Sequence, residues 1–426
     1  MSRLSRRSAL RESVGLLTRR ALLGAAPAAL ALGGPLLVAR LARAAKQYGP
    51  GVTDSEIKIG NTMPYSGPLS NVGTQGRTEA AYFKMLNERG GVNGRKITFI
   101  SLDDAYSPPK TVERVRKLVE QEQVLAIFGI IGTPTSASVQ RYLNESKVPQ
   151  LFIQSGAPRF ADPKQYPWTM PITPGYDDEA RVDARYVLET KPEAKIGVLY
   201  QNDDFGKAYL VGFKEGLGDR AAKMIVSAAS YETTDATVHS QIATLQGSGA
   251  DVLFTAAIPK MAAQAIRNAY DIGWHPLHIM FFGGRSIPTV LKPAGLEKSV
   301  GLISAVWDMT PGDPRWEHDP DYQTYLAFMK QYYPAGDPND VLNFTAYSWA
   351  YTLGQVLEQC GDSLTRENLM FQASHLKNFH APGLLPGITL NTSLTNYRPI
   401  KQFIMHRFDG EQWVPIGAIV EVSALQ

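Results

Sequence analysis

The 426-residue chain has a single cysteine, Cys360. An internal disulfide is impossible, and so is a cysteine-rich metal site. Only 19% of the residues are charged and 44% are hydrophobic. That balance excludes a disordered or collagen-like chain and supplies enough apolar side chains for a sizeable core. Catalytic signatures are missing as well: there is no HExxH, no GxSxG elbow, no Walker loop and no dinucleotide fingerprint. His275 and His278 have a metal-like spacing with Asp271 nearby. They flank Pro276 at a helix-to-strand turn without further ligands, so a turn is favoured over a metal site. Asp103-Asp104 and Asp203-Asp204 directly follow strand-like runs and read as loop braces rather than paired catalytic acids. An exported hydrolase is therefore disfavoured, and neither a metal nor a cofactor is expected.

Beyond residue 45 the chain also lacks a net positive charge. Residues 1–45 hold eight arginines against one glutamate, a net +7 within a whole-chain formal charge of +3, so the remainder carries −4. A mildly acidic body has no field that favours a nucleic-acid backbone. The leading segment reads as an address. Arg19-Arg20 precede an apolar run over 21–39, and Ala42-Arg43-Ala44 supplies a small-x-small site. Cleavage after about Ala44 is expected, and the adjacent arginines point to the twin-arginine route. Gly24, Pro27, Gly33, Gly34 and Pro35 weaken the run as a permanent membrane helix. No second apolar run of 18 residues exists, so a soluble periplasmic mature protein is expected.

What the sequence does hold is alternation. Strand-like runs at 57–60, 97–102, 124–128 and 150–153 alternate with helical patterns near 76–89, from Pro108, and around Val139, Tyr142 and Leu143. Ser107 is placed to cap the helix at Pro108. The pattern restarts with strands at 195–200, 224–227, 251–255, 278–282 and 301–306. Between them lie a helix near 205–217, a helix capped by Asp235, and a helix opened by Pro259. Alternation of this kind implies α/β lobes with parallel central sheets, here two, over about 53–165 and 180–303. Residues 310–380 read as mainly helical, with Tyr322, Tyr325, Leu326, Met329 and Tyr332 as a core-facing stripe. The tail over 402–419 reads as a hairpin turning at Asp409-Gly410.

Ligands of open parallel sheets sit beyond the carboxyl ends of the strands. The post-strand segments here are rich in glycine, serine and threonine. They supply Tyr65 and Ser66, then Thr133 and Thr135, then Gln154, Ser155, Gly156 and Ala157, then Gly283 and Arg285. Helix-start amides beside such hydroxyls suit an anion such as a carboxylate, to which Arg285 or Arg159 would add a bidentate fork. Tyr65, Tyr106, Phe205 and Trp307 are placed to flank an apolar or aromatic body. Asp204 and Ile258, on segments that follow later strands, complete the candidate set.

Residues 57–68 (IKIGNTMPYSGP), 90–97 (GGVNGRKI), Asp103-Asp104, 200–206 (YQNDDFG) and 248–252 (SGADV) recur in an order that resembles the branched-chain amino acid type of periplasmic solute-binding protein, the receptor subunit of ABC importers. The resemblance covers nearly all of 53–420. It implies two Rossmann-like lobes joined by three hinge crossovers, the type I periplasmic binding fold. The N-terminal lobe would comprise 53–170 plus 305–395, and the C-terminal lobe 171–304 plus 396–421. It further implies a monomer that closes on one small molecule and delivers it to ABC permease and ATPase subunits. The family holds amino acids with a hydroxyl after the third strand, a threonine after the fourth, and an acid in the second lobe. Thr133 matches the first, but Pro158 stands at the second position and Gly283 at the third. A buried α-ammonium without a carboxylate partner is costly. The expected ligand is therefore an aromatic or aliphatic carboxylate. A branched-chain or other amino acid receptor and a ligand-sensor subunit remain the alternatives.

Overall fold

Glu56–Met63 is a strand because Ile57 and Ile59 alternate with Glu56 and Lys58 before the run becomes wholly buried. The structure, a computed structural model, describes residues 46–425; the expected export leader and its cleavage site lie outside them. The first sheet has five strands, in the order Lys96–Asp103, Glu56–Met63, Ala126–Phe128, Gln150–Ile153 and Thr169–Pro171. Every pairing in it is parallel. The connecting helices are Thr74–Glu88, Pro108–Arg116 and Thr133–Glu145. A second sheet has eight strands. Ile225–Tyr231, Ile196–Gln201, Val252–Ala256, Leu277–Met280 and Ile303–Val306 run parallel in that order. Gln402–Phe408 then closes the sheet antiparallel to Ile303–Val306. Trp413–Pro415 and Val420–Glu421 pair antiparallel with Gln402–Phe408. Its turn forms where expected: the Asp409 carboxylate accepts the Glu411 and Gln412 N–H groups at 2.9 and 2.8 Å.

The fold is α/β with two lobes, one on each sheet. The chain passes from the first sheet to the second before Ile196–Gln201. It returns after Ile303–Val306, where helices Pro320–Tyr332 and Val341–Gln359 pack on Thr74–Glu88. Tyr82 meets Tyr347 edge-on at 5.3 Å, and Tyr325 stacks on Phe344 at 4.3 Å. Tyr322, Tyr325 and Met329 of the expected stripe are buried core. The third passage leads into Gln402–Phe408, and Arg398 on it ties back to the first. Its guanidinium forks onto Asp177, Nη1 to Oδ1 and Nη2 to Oδ2, both at 2.9 Å, and reaches Asp178. Arg181 also pairs with Asp178 and reaches Glu215. Two passages are thus pinned by one compensated ionic cluster.

Some expected boundaries moved for local reasons. Asp235 does not cap a helix; its carboxylate accepts the Glu232 N–H in a turn, and the helix begins at His239. Val238, Ile242 and Leu245 nevertheless point into the core. The strand expected at 224–227 runs from Ile225 to Tyr231. Ser107 is at the N-cap position but makes no side-chain cap bond. Cys360 is buried at the end of Val341–Gln359, and burial raises its thiol to about 12, so it is chemically quiet. Among the described residues no helix is long and apolar enough to cross a membrane.

A cavity at the carboxyl ends of both sheets

Each sheet sends its post-strand loops to the same place. From the first lobe come Leu69 and Val72, Tyr106, Ile131 to Thr133, and Gln154. The second contributes Phe205, Ile258, Phe281 to Gly283, Arg285, Trp307 and Asp308. Thr173 and Tyr176 arrive from the first passage between lobes; Val341, Leu342 and Thr345 arrive from the start of Val341–Gln359. Together they enclose a cavity of about 120 Å³. That is near the ~150 Å³ of an apolar cavity that admits benzene, so a ring or a short chain fits.

The wall is largely aromatic. Phe205 lies edge-on to Tyr176 at 5.2 Å and to Phe281 at 5.1 Å. Phe282 meets Trp307 at 5.7 Å, and Trp307 stacks on Trp349 behind it at 5.4 Å. Such rings form a rigid apolar surface. Gly132 is required by close approach: its φ is +93°, and an added Cβ would stand 2.3 Å from the Tyr106 ring. Gly132→Ala is expected to destabilise by at least about 2 kcal/mol, from left-handed strain and overpacking together. A melting temperature equal to that of the parent would contradict this placement.

Only two lining residues carry formal charge, and they meet each other. Arg285 and Asp308 are 2% and 5% exposed and form an ion pair. Arg285 Nη1 also donates to Thr310 Oγ1 at 3.0 Å, and Thr345 Oγ1 donates to Asp308 at 3.2 Å. Burial raises the Asp308 carboxyl and the Arg285 charge opposes it. Behind the 281–285 loop, Glu179 Oε1 accepts the Phe282 N–H at 2.7 Å and Oε2 accepts the Tyr209 hydroxyl at 2.5 Å. Burial lifts Glu179 to about 8, against those two bonds and the Arg285 charge.

Of the candidates read from sequence, Tyr106, Thr133, Gln154, Phe205, Ile258, Gly283, Arg285 and Trp307 line the cavity. The others stand elsewhere. Tyr65 bonds Ser101 at 2.6 Å under the Arg77 guanidinium. Ser66 is exposed and donates to Asp103. Thr135 back-bonds to the Ile131 carbonyl at 2.5 Å. Ser155 bonds the Thr133 hydroxyl at 2.7 Å, one layer behind the lining. Gly156 allows the chain to cross Pro174, whose oxygen lies 1.9 Å from an added Cβ, and Ala157 leads into the turn Pro158–Ala161. Asp204 pairs with Arg159 at 2.8 Å on the surface, which also removes Arg159 from the cavity. His278 bonds Thr255 at 2.9 Å in the core, and no group of metal-ligating side chains occurs among the described residues. Asp104 and Asp203 brace their loops, accepting the Tyr106 and Phe205 N–H groups.

Sequence reading missed Gln75, Thr173, Tyr176, Asp308 and Thr345. They belong to helix starts and inter-lobe passages.

The periplasmic binding protein family profile matches residues 56–410. A Leu/Ile/Val-binding protein homolog 1 of Brucella suis biovar 1 (strain 1330) is 24% identical over 327 residues, 74% of this chain and 81% of the relative. A Leu/Ile/Val-binding protein homolog 7 of Brucella abortus (strain 2308) is 23% identical over 278 residues, 63% of this chain and 68% of the relative. Among solved structures, a fatty acid ABC transporter substrate-binding protein from Thermomonospora curvata superposes with TM-score 0.74 at 23% identity, covering 88% of this chain and 95% of that one. A branched chain amino acid ABC transporter protein from Thermus thermophilus with bound valine gives TM-score 0.77 at 16% identity, over 88% and 98%. Two parallel-sheet lobes, three passages between them and a cavity at the strand ends agree with that match over most of the length, and the chain belongs to the periplasmic binding protein family.

Proposed function

We propose that this chain is the exported solute receptor of an ABC importer, and that its lobes close on a small carboxylate with an aromatic or short aliphatic body. The observation that carries the ligand class is the charge state of the lining. Its one carboxylate, Asp308, is already tied to Arg285. No acid remains to pair with an α-ammonium, and an unpaired ammonium is costly in an apolar cavity. A carboxylate is better served. Thr133 opens helix Thr133–Glu145 at the cavity, so its hydroxyl and the Thr133 and Thr135 N–H groups, Pro134 having none, lie where an anion is stabilised. The relatives' names divide between fatty acid and branched-chain amino acid ligands, so the family does not choose for this chain. Closure about the three passages would leave each lobe rigid, and the closed form would be what the permease engages.

The test is thermal unfolding of residues 45–426, refolded from denaturant to shed retained ligand. The panel holds benzoate, phenylacetate, hexanoate, phenylacetamide, leucine, valine and phenylalanine. A ligand at 100 times its Kd adds about 2.7 kcal/mol of stability. Carboxylates are expected to raise the melting temperature by several degrees while the amino acids do not. A shift with leucine, valine or phenylalanine and none with the carboxylates would sink the reading.

A further inference from the structure

Several polar atoms of the cavity lining have nothing to bond among the described residues: Thr173 Oγ1, Trp307 Nε1, Arg285 Nε and the side-chain amide of Gln75. Gln75 lies in the first turn of Thr74–Glu88, is 4% exposed and lines the cavity. Its amide has no hydrogen-bond partner among the described residues. The other polar groups of this turn are engaged: Thr74 and Thr78 both donate to Asn343, at 2.6 and 2.9 Å. One turn on and on the same face, Glu79 accepts from the Gln154 amide at 3.4 Å, and burial favours its uncharged form. This wall is therefore polar, and burial works against a charge on it. Across the cavity the Arg285–Asp308 pair is closed on itself. An amide held away from solvent without a partner is destabilising. An orphan facing a cavity is most simply explained by a group that arrives with the ligand.

We propose that Gln75 is a specificity-determining residue of this cavity, its Nε2 donating to an oxygen of the ligand's head group. The carboxylate identity of that head rests on the reading above; the contact itself does not. Binding then completes the amide's hydrogen bonding, and head groups that bring only donors meet Nε2 without an acceptor.

The experiment uses the refolded mature protein and two variants, Gln75→Leu and Gln75→Glu. Calorimetric titration with phenylacetate, hexanoate, phenylacetamide and phenylalanine gives the affinities, and melting without ligand gives the control. Gln75→Leu is expected to weaken the carboxylates about 10- to 30-fold, the scale of one lost hydrogen bond to a charged group. It is also expected to leave the unliganded melting temperature unchanged or higher, because no internal bond is lost. Gln75→Glu is expected to weaken carboxylates more than 100-fold and phenylacetamide by less. Affinities within twofold of the parent for every probe it binds would overturn the proposal. So would an unliganded melting temperature several degrees lower in Gln75→Leu, which would reveal an internal partner. Tight binding of phenylalanine by the parent would remove the carboxylate reading and leave the Gln75 comparison to run on that probe. If the parent binds no probe, native mass spectrometry of protein purified without refolding decides: a small-molecule adduct kept by the parent and lost from Gln75→Leu supports the contact, and any other pattern overturns it.

Discussion

Arg285→Met is expected to destabilise the protein by about 3–5 kcal/mol at pH 7, the cost of leaving a buried charge without its partner. Asp308 is 5% exposed, and its carboxylate is held by Arg285 and Thr345. With the guanidinium gone, the Thr345 hydroxyl and the Asp308 backbone N–H are left to stabilise the anion. Burial already raises this carboxyl while Arg285 lowers it, so removing Arg285 raises it further. An acid whose folded pKa lies above its unfolded value loses stability as pH rises between the two. The deficit of Arg285→Met should therefore shrink as pH falls and Asp308 takes up a proton. The double variant Arg285→Met/Asp308→Leu removes both charges and should recover most of the loss, because a buried pair exchanged for apolar side chains is often neutral. Melting curves of the parent, the single and the double variant between pH 5 and 8 read all three outcomes. A single variant within about 1 kcal/mol of the parent at every pH would mean that the pair is not the desolvated unit described here.

The same pair shows where sequence reading ends. The alternation of strands and helices was legible because a parallel strand buried on both faces is a short continuous apolar run. Ala126–Phe128 and Val252–Ala256 are such runs, wholly buried. The helical character of 310–380 was legible, and Val341–Gln359, capped by Asp340, is its longest helix. The cavity was legible at Thr133, Gln154, Phe205 and Gly283, because ligands gather at strand ends and these residues follow strands directly. Arg285 was legible as a charge near the cavity but not as one already paired. Asp308 lies 23 residues away in sequence and on another strand's end, and no local pattern links them. Gln75, Thr173 and Thr345 were invisible for the same reason, since each is brought in by tertiary packing of a helix start or passage. The misplacements have one physical source. Ser66, Thr135 and Asp235 are residue types that satisfy nearby backbone or side chains as readily as they cap helices or meet ligands. In the Asp203-Asp204 pair, Asp203 caps the helix and Asp204 turns outward to Arg159.

Glu179→Gln is expected to stabilise the protein above neutral pH, with a benefit that grows from about pH 5 to about pH 8 and then levels. Glu179 is fully buried on helix Tyr176–Thr190, and burial lifts its carboxyl to about 8. The unfolded chain releases this proton near pH 4.5, whereas the folded protein keeps it until about 8. Across that window the folded state binds the extra proton, so its stability falls by about 1.4 kcal/mol per pH unit. Glutamine mimics the protonated carboxyl: its carbonyl can accept the Phe282 N–H, and its NH₂ can donate to the Tyr209 oxygen, reversing that bond. The loop behind the cavity therefore keeps its anchor while the titration disappears. Asp183, one turn along the helix, is also buried, and neither of its oxygens has a partner. Burial and the Glu179 charge both raise it. The two acids titrate as a pair, so Glu179→Gln should also make the remaining Asp183 easier to ionise. Adding Asp183→Asn should flatten the variant's own dependence of stability on pH further, and so widen its difference from the parent at high pH. The readout is the difference in melting temperature between variant and parent at half-unit steps from pH 5 to 9. A difference independent of pH would show that Glu179 is ionised throughout, with the Arg285 charge outweighing burial. A difference that rises and then levels would mean that the cavity loop is held, at neutral pH, by an uncharged acid.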